Sequence, residues 1–158
     1  MRACRTPRAH RRRLIVAAQT IGHLRWRRTG IGSVVLGVEM RAEVTAPAIR
    51  VFRGIAKAWR MTFTEQLRLL GLPRPIGSRC LRGDPPVLPA ETLKQIALIA
   101  RVFEAINVLL PSERADAWMR APNAASIFGG RSALECMMQD GRYGIFMTRQ
   151  YLLAQIYR

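Results

Sequence analysis

Nucleophilic or acid–base catalysis needs a few side-chain types held close together, and in these 158 residues the supply is thin. Both histidines, His10 and His23, fall in one basic N-terminal segment. A Ser/His or Cys/His couple would have to be assembled from a stretch with little apolar sequence to hold it. The carboxylates Glu104, Glu113, Asp116, Glu135 and Asp140 are scattered. Glu113 and Asp116 are three apart, with Arg114 and Arg120 near in sequence, which is the pattern of a solvated, charge-balanced helix face rather than a paired acid and base. Cys4, Cys80 and Cys136 are too widely spaced for a disulfide framework or a zinc set. Gly30-Ile31-Gly32 is half of a nucleotide loop with no strand signal before it. These residues predict a protein without catalytic activity, metal or cofactor.

The abundant functional group is guanidinium. Lys plus Arg number 26 against 10 acids, a net charge of +16, and 24 of the cations are Arg. Residues 1–39 alone carry nine Arg and one acid, or +8. Such a field attracts nucleic acid or an anionic surface, although coding bias toward Arg accounts equally well for much of the excess. The pattern is most specific between Thr62 and Gly83. Thr62-Phe63-Thr64-Glu65 is a capping box, in which the Thr hydroxyl accepts a backbone N–H and the Glu returns to the cap. A helix from about Phe63 to Leu70 follows, stopped by Gly71 and Pro73. The next segment, PRPIGSRCLRG, places Arg74, Ser78, Arg79 and Arg82 on a second short helix, with Ile76 and Leu81 expected to pack on the first. Two short helices across a tight Gly turn, the second rich in Arg, suggest a helix-turn-helix whose second member meets bases and phosphates. An ordinary helical hairpin with solvated arginines has the same pattern.

The elements that position these groups are helical throughout. Ile49, Phe52, Ile55, Ala56 and Trp59 recur at helical spacing after Pro47. Glu91 to Leu110 is apolar on most sides, so its second face needs the C-terminal half or another chain to cover it. Ser112 caps a short helix to Arg120, Ser132-Ala133-Leu134-Glu135 is a second capping box, and a last helix runs from about Tyr143 to Ile156. No apolar run reaches the length needed to span a bilayer, and a cytoplasmic protein that is not exported is expected. The fold class is all-α: a basic, disordered N-terminal arm (1–39) with at most a short helix near Leu14 to Ala18, a small helix-turn-helix bundle (40–107) and a short-helix domain (108–158). The arm is either a phosphate-binding extension or sequence upstream of a start at Met40.

Taken as a whole, the C-terminal half resembles the toxin-binding domain of the Xre/MbcA/ParS family of bacterial antitoxins. The matching pieces are Glu113-Arg114-Ala115 and Trp118, the break at Pro122-Asn123, the turn Phe128-Gly129-Gly130, Ser132-Ala133-Leu134, and Gly141 followed by Arg149-Gln150-Tyr151-Leu152. Thr64 to Leu72 and Leu88 to Leu110 are similar to the family's helix-turn-helix half. The resemblance implies a type II antitoxin that silences a RES-like, NAD-consuming or ADP-ribosylating toxin by covering its active site, binds operator DNA, and forms a homodimer and a hetero-oligomer with the toxin. A stand-alone DNA-binding regulator is the alternative. Toxin contact is implied for Trp118, Asn123, Phe128, Gly129, Gly130, Arg131, Tyr151 and Arg158. On physical grounds Trp118 is a core residue or a partner anchor, Asn123 a turn former, and Gly129 and Gly130 the means of a tight turn or close approach. Two departures stand out. Cys80 follows Arg79 where the family tends to have Trp, which thins the packing behind the recognition helix, and the chain stops at Ile156-Tyr157-Arg158 where relatives often continue with a Gly-containing tail.

Overall fold

A helix that is apolar on nearly every side cannot face water, and the arrangement of the chain follows from that. The computed structural model describes residues 7–22 and 38–158. Eight helices occur among the described residues: α1 (Pro7–Gly22), α2 (Val38–Ala58), α3 (Phe63–Leu70), α4 (Arg74–Arg82), α5 (Ala90–Leu109), α6 (Ser112–Arg120), α7 (Ala133–Gln139) and α8 (Gly141–Ile156). Helix α5 lies at the centre, with α8, α1 and α2 packed around it. Ile96, Ile99, Ala100, Val102 and Phe103 are fully buried, although they point in different directions around the helix. One continuous apolar cluster runs from Ala18 through Trp59, Leu69, Cys80 and Phe103 to Leu134 and Leu152. It passes through the point between residues 107 and 108 where the sequence suggests a domain boundary, two residues short of the end of α5.

The N-terminal segment departs from the expected disordered arm. Pro7–Gly22 is a sixteen-residue helix. Leu14, Ile15, Ala17, Ala18 and Ile21 lie at helical spacing and pack into or against the core, so this short stripe recovers its ordering entropy by covering α5. Arg11 fixes the register. Its guanidinium pairs with Asp116 through both carboxylate oxygens at 2.6 and 2.9 Å, donates to Asn107 Oδ1 at 2.7 and 3.0 Å, and lies 5.2 Å from the centre of the Phe103 ring. Residues 23–37, including His23 and Gly30-Ile31-Gly32, lie outside the described residues, as does Cys4. Helix α2 also begins earlier than expected, at Val38, and carries Pro47 in its interior. The Pro resembled a start signal, but Val44 and Ala48 continue the apolar stripe through it.

Both capping boxes form. Thr62 Oγ1 accepts from Glu65 N at 3.3 Å while Glu65 Oε2 accepts from Thr62 N at 2.7 Å, and Ser132 and Glu135 repeat the arrangement. Gly71 ends α3 in the left-handed region, at φ 64°. Ser112, expected as a cap, is instead the first residue of α6, and Pro111 occupies the cap position.

Arg120 holds α6 against the first half of the chain. It donates to the Trp59 carbonyl at 2.7 Å and the Arg60 carbonyl at 2.8 Å, and it spans both Glu65 oxygens at 3.1 and 2.9 Å. Arg60 takes a left-handed φ of 51° as α2 ends. Asp116 and Arg120 thus pair across elements, not with each other on a solvated face. The Arg120 guanidinium and the capping hydrogen bonds from Thr62 bring the Glu65 carboxyl down from 4.5 to about 2.

Two outcomes follow for stability. Removing residues 1–37 strips α1 from α5 and is expected to cost roughly 3–5 kcal/mol and to raise binding of an apolar dye; an unchanged melting temperature would refute the packing of α1. Arg120→Gln is expected to cost on the order of 2 kcal/mol at neutral pH. Glu65 binds its proton less readily folded than unfolded, so its contribution is present above about pH 4.5 and lost as pH falls toward about 2. The pair is partly exposed, so that contribution is smaller than the shift alone implies. The gap between the thermal melts of wild type and Arg120→Gln should therefore narrow across that window, leaving the part due to the Trp59 and Arg60 carbonyls.

Candidate functional site

Helices α6, α7 and α8 meet around three rings. Phe128 is buried, its ring centre 5.1 Å from Tyr151 and 5.8 Å from Trp118, edge to face in both cases. Trp118 and Tyr151 stack at 6.2 Å with 14° between their planes. Such contacts are worth about 1 kcal/mol each beyond their area. The structure therefore brings together Trp118, Phe128 and Tyr151 as an anchor, with Trp118 and Tyr151 half-buried at its edge.

The anchor holds the connection between α6 and α7. Asn123 N donates to Arg131 O at 3.1 Å and Gly130 N returns to Asn123 O at 3.1 Å, closing the loop at its base beside a bridge between Pro122 and Ser132. Asn123 Oδ1 accepts from Ala125 N at 3.0 Å, the turn-forming role expected of it. Gly129 and Gly130 have φ of 57° and 82°, and a Cβ at either would meet nothing within 4 Å. They are needed for their left-handed backbone and not, as close approach would require, for space. Arg131 is internal to the device. It reaches Phe128 O, Gln139 Oε1 at 2.7 Å and Asp140 Oδ2 at 3.2 Å, tying the loop to the end of α7.

The outward part of this end is apolar. Ile127 at the loop tip is exposed, as are Tyr143 and Phe146 three residues apart on α8. None of these three was among the residues expected at the site; the 143/146 spacing, on the side of α8 away from the buried Ile145, was the available signal. Beneath them Gly144 lets α8 approach the Cys136 carbonyl, where a Cβ would clash. Cys136 is buried against the Phe128 carbonyl, at 3.7 Å, and burial raises its thiol pKa. Arg158 lies exposed beyond the end of α8, seven residues past Tyr151, and is not part of the ring cluster.

The arginines of α4 form a second face. A turn of three residues, Gly71-Leu72-Pro73, separates α3 from α4. Arg74, Arg79 and Arg82 are exposed and Ser78 half-exposed, all on one side of the helix. Arg74 sits 5.7 Å from the Phe63 ring, Arg79 pairs with Asp84 at 3.0 Å, and Arg82 Nε reaches Ser78 O at 3.4 Å. The buried side differs from expectation. Ile76 is exposed, while Gly77 and Cys80 face the core. Gly77 meets the Leu67 side chain so closely that a Cβ would not fit. The helices approach across a glycine, and the small Cys80 fits the space behind α4; burial raises its thiol pKa as well.

Among the described residues no group of His, Cys, Asp and Glu could hold a metal ion, and no helix is long and apolar enough to cross a membrane.

Residues 101–157, from the second half of α5 through α8, match the family model of the antitoxin Xre/MbcA/ParS C-terminal toxin-binding domain. The chain is also similar to the uncharacterized protein y4oB of Sinorhizobium fredii (strain NBRC 101917 / NGR234), with 37% identity over 115 residues that cover 72% of this chain and 87% of that one. No solved structure matches it. The residues quoted for the resemblance at 113–115, 118, 122–123, 128–130, 132–134, 141 and 149–152 all lie within the matched stretch, and residues 101–157 belong to the Xre/MbcA/ParS family of antitoxin toxin-binding domains.

Proposed function

We propose that the chain is the antitoxin of a type II toxin–antitoxin pair, that its partner is a RES-like toxin consuming NAD or transferring ADP-ribose from it, and that it blocks this toxin by covering the active site. The observation that carries the reading is the division of labour at the C-terminal end. Trp118, Phe128, Asn123, Arg131 and Tyr151 bond to one another or to their own loop, which leaves the loop tip and the outward face of α8 for a partner. Ile127, Tyr143 and Phe146 supply the exposed apolar area from which hot spots are built. In this reading the predicted toxin residues Gly129, Gly130 and Arg158 contact the partner directly, and the others hold the surface in shape.

The same reading gives α4 the operator. Arg74, Ser78, Arg79 and Arg82 form a polar, cationic face on the second helix of a helix-turn-helix pair, suited to base edges and phosphates. That geometry also supports the second reading, a DNA-binding regulator without a toxin. Residues 40–107 serve DNA, residues 108–158 serve the toxin, and the protein acts in the cytoplasm as a homodimer that assembles with its toxin.

Co-expression with the product of the neighbouring gene separates the two readings. Wild type is expected to restore growth and cellular NAD and to be recovered in a complex. Ile127→Asp, at an exposed tip, should keep the melting temperature and weaken the complex at least tenfold. Trp118→Ala should weaken the complex and lower the melting temperature together. Absence of rescue and of complex with wild type would favour the regulator.

A further inference from the structure

We propose that the outward faces of α1 and α2 form a phosphate-binding track that continues the cationic face of α4, so that duplex nucleic acid lies across α1 and α2 as well as α4. The inference rests on the operator-binding reading but concerns residues outside the helix-turn-helix pair.

Arg50, Arg53 and Lys57 recur at three and four residues on α2, and all are exposed. Along the helix axis the span from Arg50 to Lys57 is about 10 Å, which matches about three phosphates of one DNA strand. Between α1 and α2 lies a groove of about 670 Å³ with Arg13 on one wall and Arg50 on the other, over a floor that includes Leu14, Val51 and Gly54. The two helices lie close at Gly54, where a Cβ would meet the Leu14 side chain at 2.5 Å. Helix α1 thereby adds its cations to those of α2. The other end of the track reaches α4, because the Arg53 guanidinium lies 3.5 Å from where a Cβ on Gly83 would sit, and Gly83 caps α4 directly after Arg82.

These cations are not used internally. Arg12, Arg13, Arg50, Arg53 and Lys57 have no carboxylate partner among the described residues, unlike Arg11, Arg120 and Arg142, which do. On α2 the acids are Glu39 and Glu43, and Glu43 is about two turns before Arg50. A row of unpaired guanidinium and ammonium groups is complementary to a regular polyanion. An anionic lipid surface is a poorer match, since Arg50 to Lys57 carries no large exposed apolar side chain to insert into it and residues 11–21 of α1 expose only one, Val16.

The test uses the full chain and the salt dependence of its binding to two short DNA duplexes, one of random sequence and one from upstream of its own gene. In the variant Arg13→Gln/Arg50→Gln/Arg53→Gln/Lys57→Gln the slope of log K against log salt should fall by about 3.6 on both duplexes, since each of the four lost contacts removes about 0.9, and the ratio of the two affinities should stay unchanged. Arg50→Gln alone should lower the slope by about 0.9. Arg79→Ala/Arg82→Ala should instead reduce the affinity ratio. A slope unchanged in the quadruple variant, at an unchanged melting temperature, overturns the track. So does wild type that binds vesicles of phosphatidylserine and phosphatidylcholine but neither duplex. A slope that falls as stated while the α4 variant leaves the ratio intact supports the track and refutes the operator assignment of α4.

Discussion

The need to bury α5 on all sides governs the rest of the molecule. Its twenty residues include only Glu91, Lys94, Arg101 and Glu104 as charged groups, and fully buried side chains point from it in several directions. No single neighbouring helix covers such a surface. Helix α2 brings Ile49, Phe52, Ile55 and Trp59 to one side, with the Trp59 and Phe103 rings 6.0 Å apart. Helix α8 covers another side, and α1 closes a third. The toxin-binding family domain begins inside this helix, at residue 101. Its loop and rings are therefore built on the same core that supports α3 and α4, and a change in either half is felt through α5.

Arginine does two different jobs here. Arg11 and Arg120 are structural: each presents a planar fork to a carboxylate and spends its remaining donors on a neighbouring oxygen, the Asn107 amide for one and the Trp59 and Arg60 carbonyls for the other. Lys in either place would keep the charge and lose the geometry. The arginines of α4 and the outward cations of α1 and α2 are directed to solvent. The high Arg content is thus partly absorbed by the fold.

Local rules read well from the sequence and long-range ones did not. The two capping boxes, the left-handed Gly71, the all-helical class and the boundaries of α3, α4 and α6 follow from residues within a few positions of each other. The turn role of Asn123 was legible for the same reason. Helix α1 was underestimated because its apolar stripe is short and embedded in charge, and it packs on α5, which begins 68 residues after α1 ends. Pro47 looked like a beginning because Pro favours first turns. Arg120 and Asp116 were assigned to a solvated face because their partners, Glu65 and Arg11, are distant in sequence. At the candidate site, the resemblance pointed to Trp118, Phe128 and Tyr151. That their rings pack on one another, leaving Ile127, Tyr143 and Phe146 outermost, depends on how α8 crosses α6.

The most direct test of the account is hydrogen exchange of the full chain, alone and with the product of the neighbouring gene. The account predicts added protection across residues 124–131 and the start of α8, with α4 exchanging as before. Formation of a complex that protects α4 and leaves residues 124–131 unchanged would contradict it.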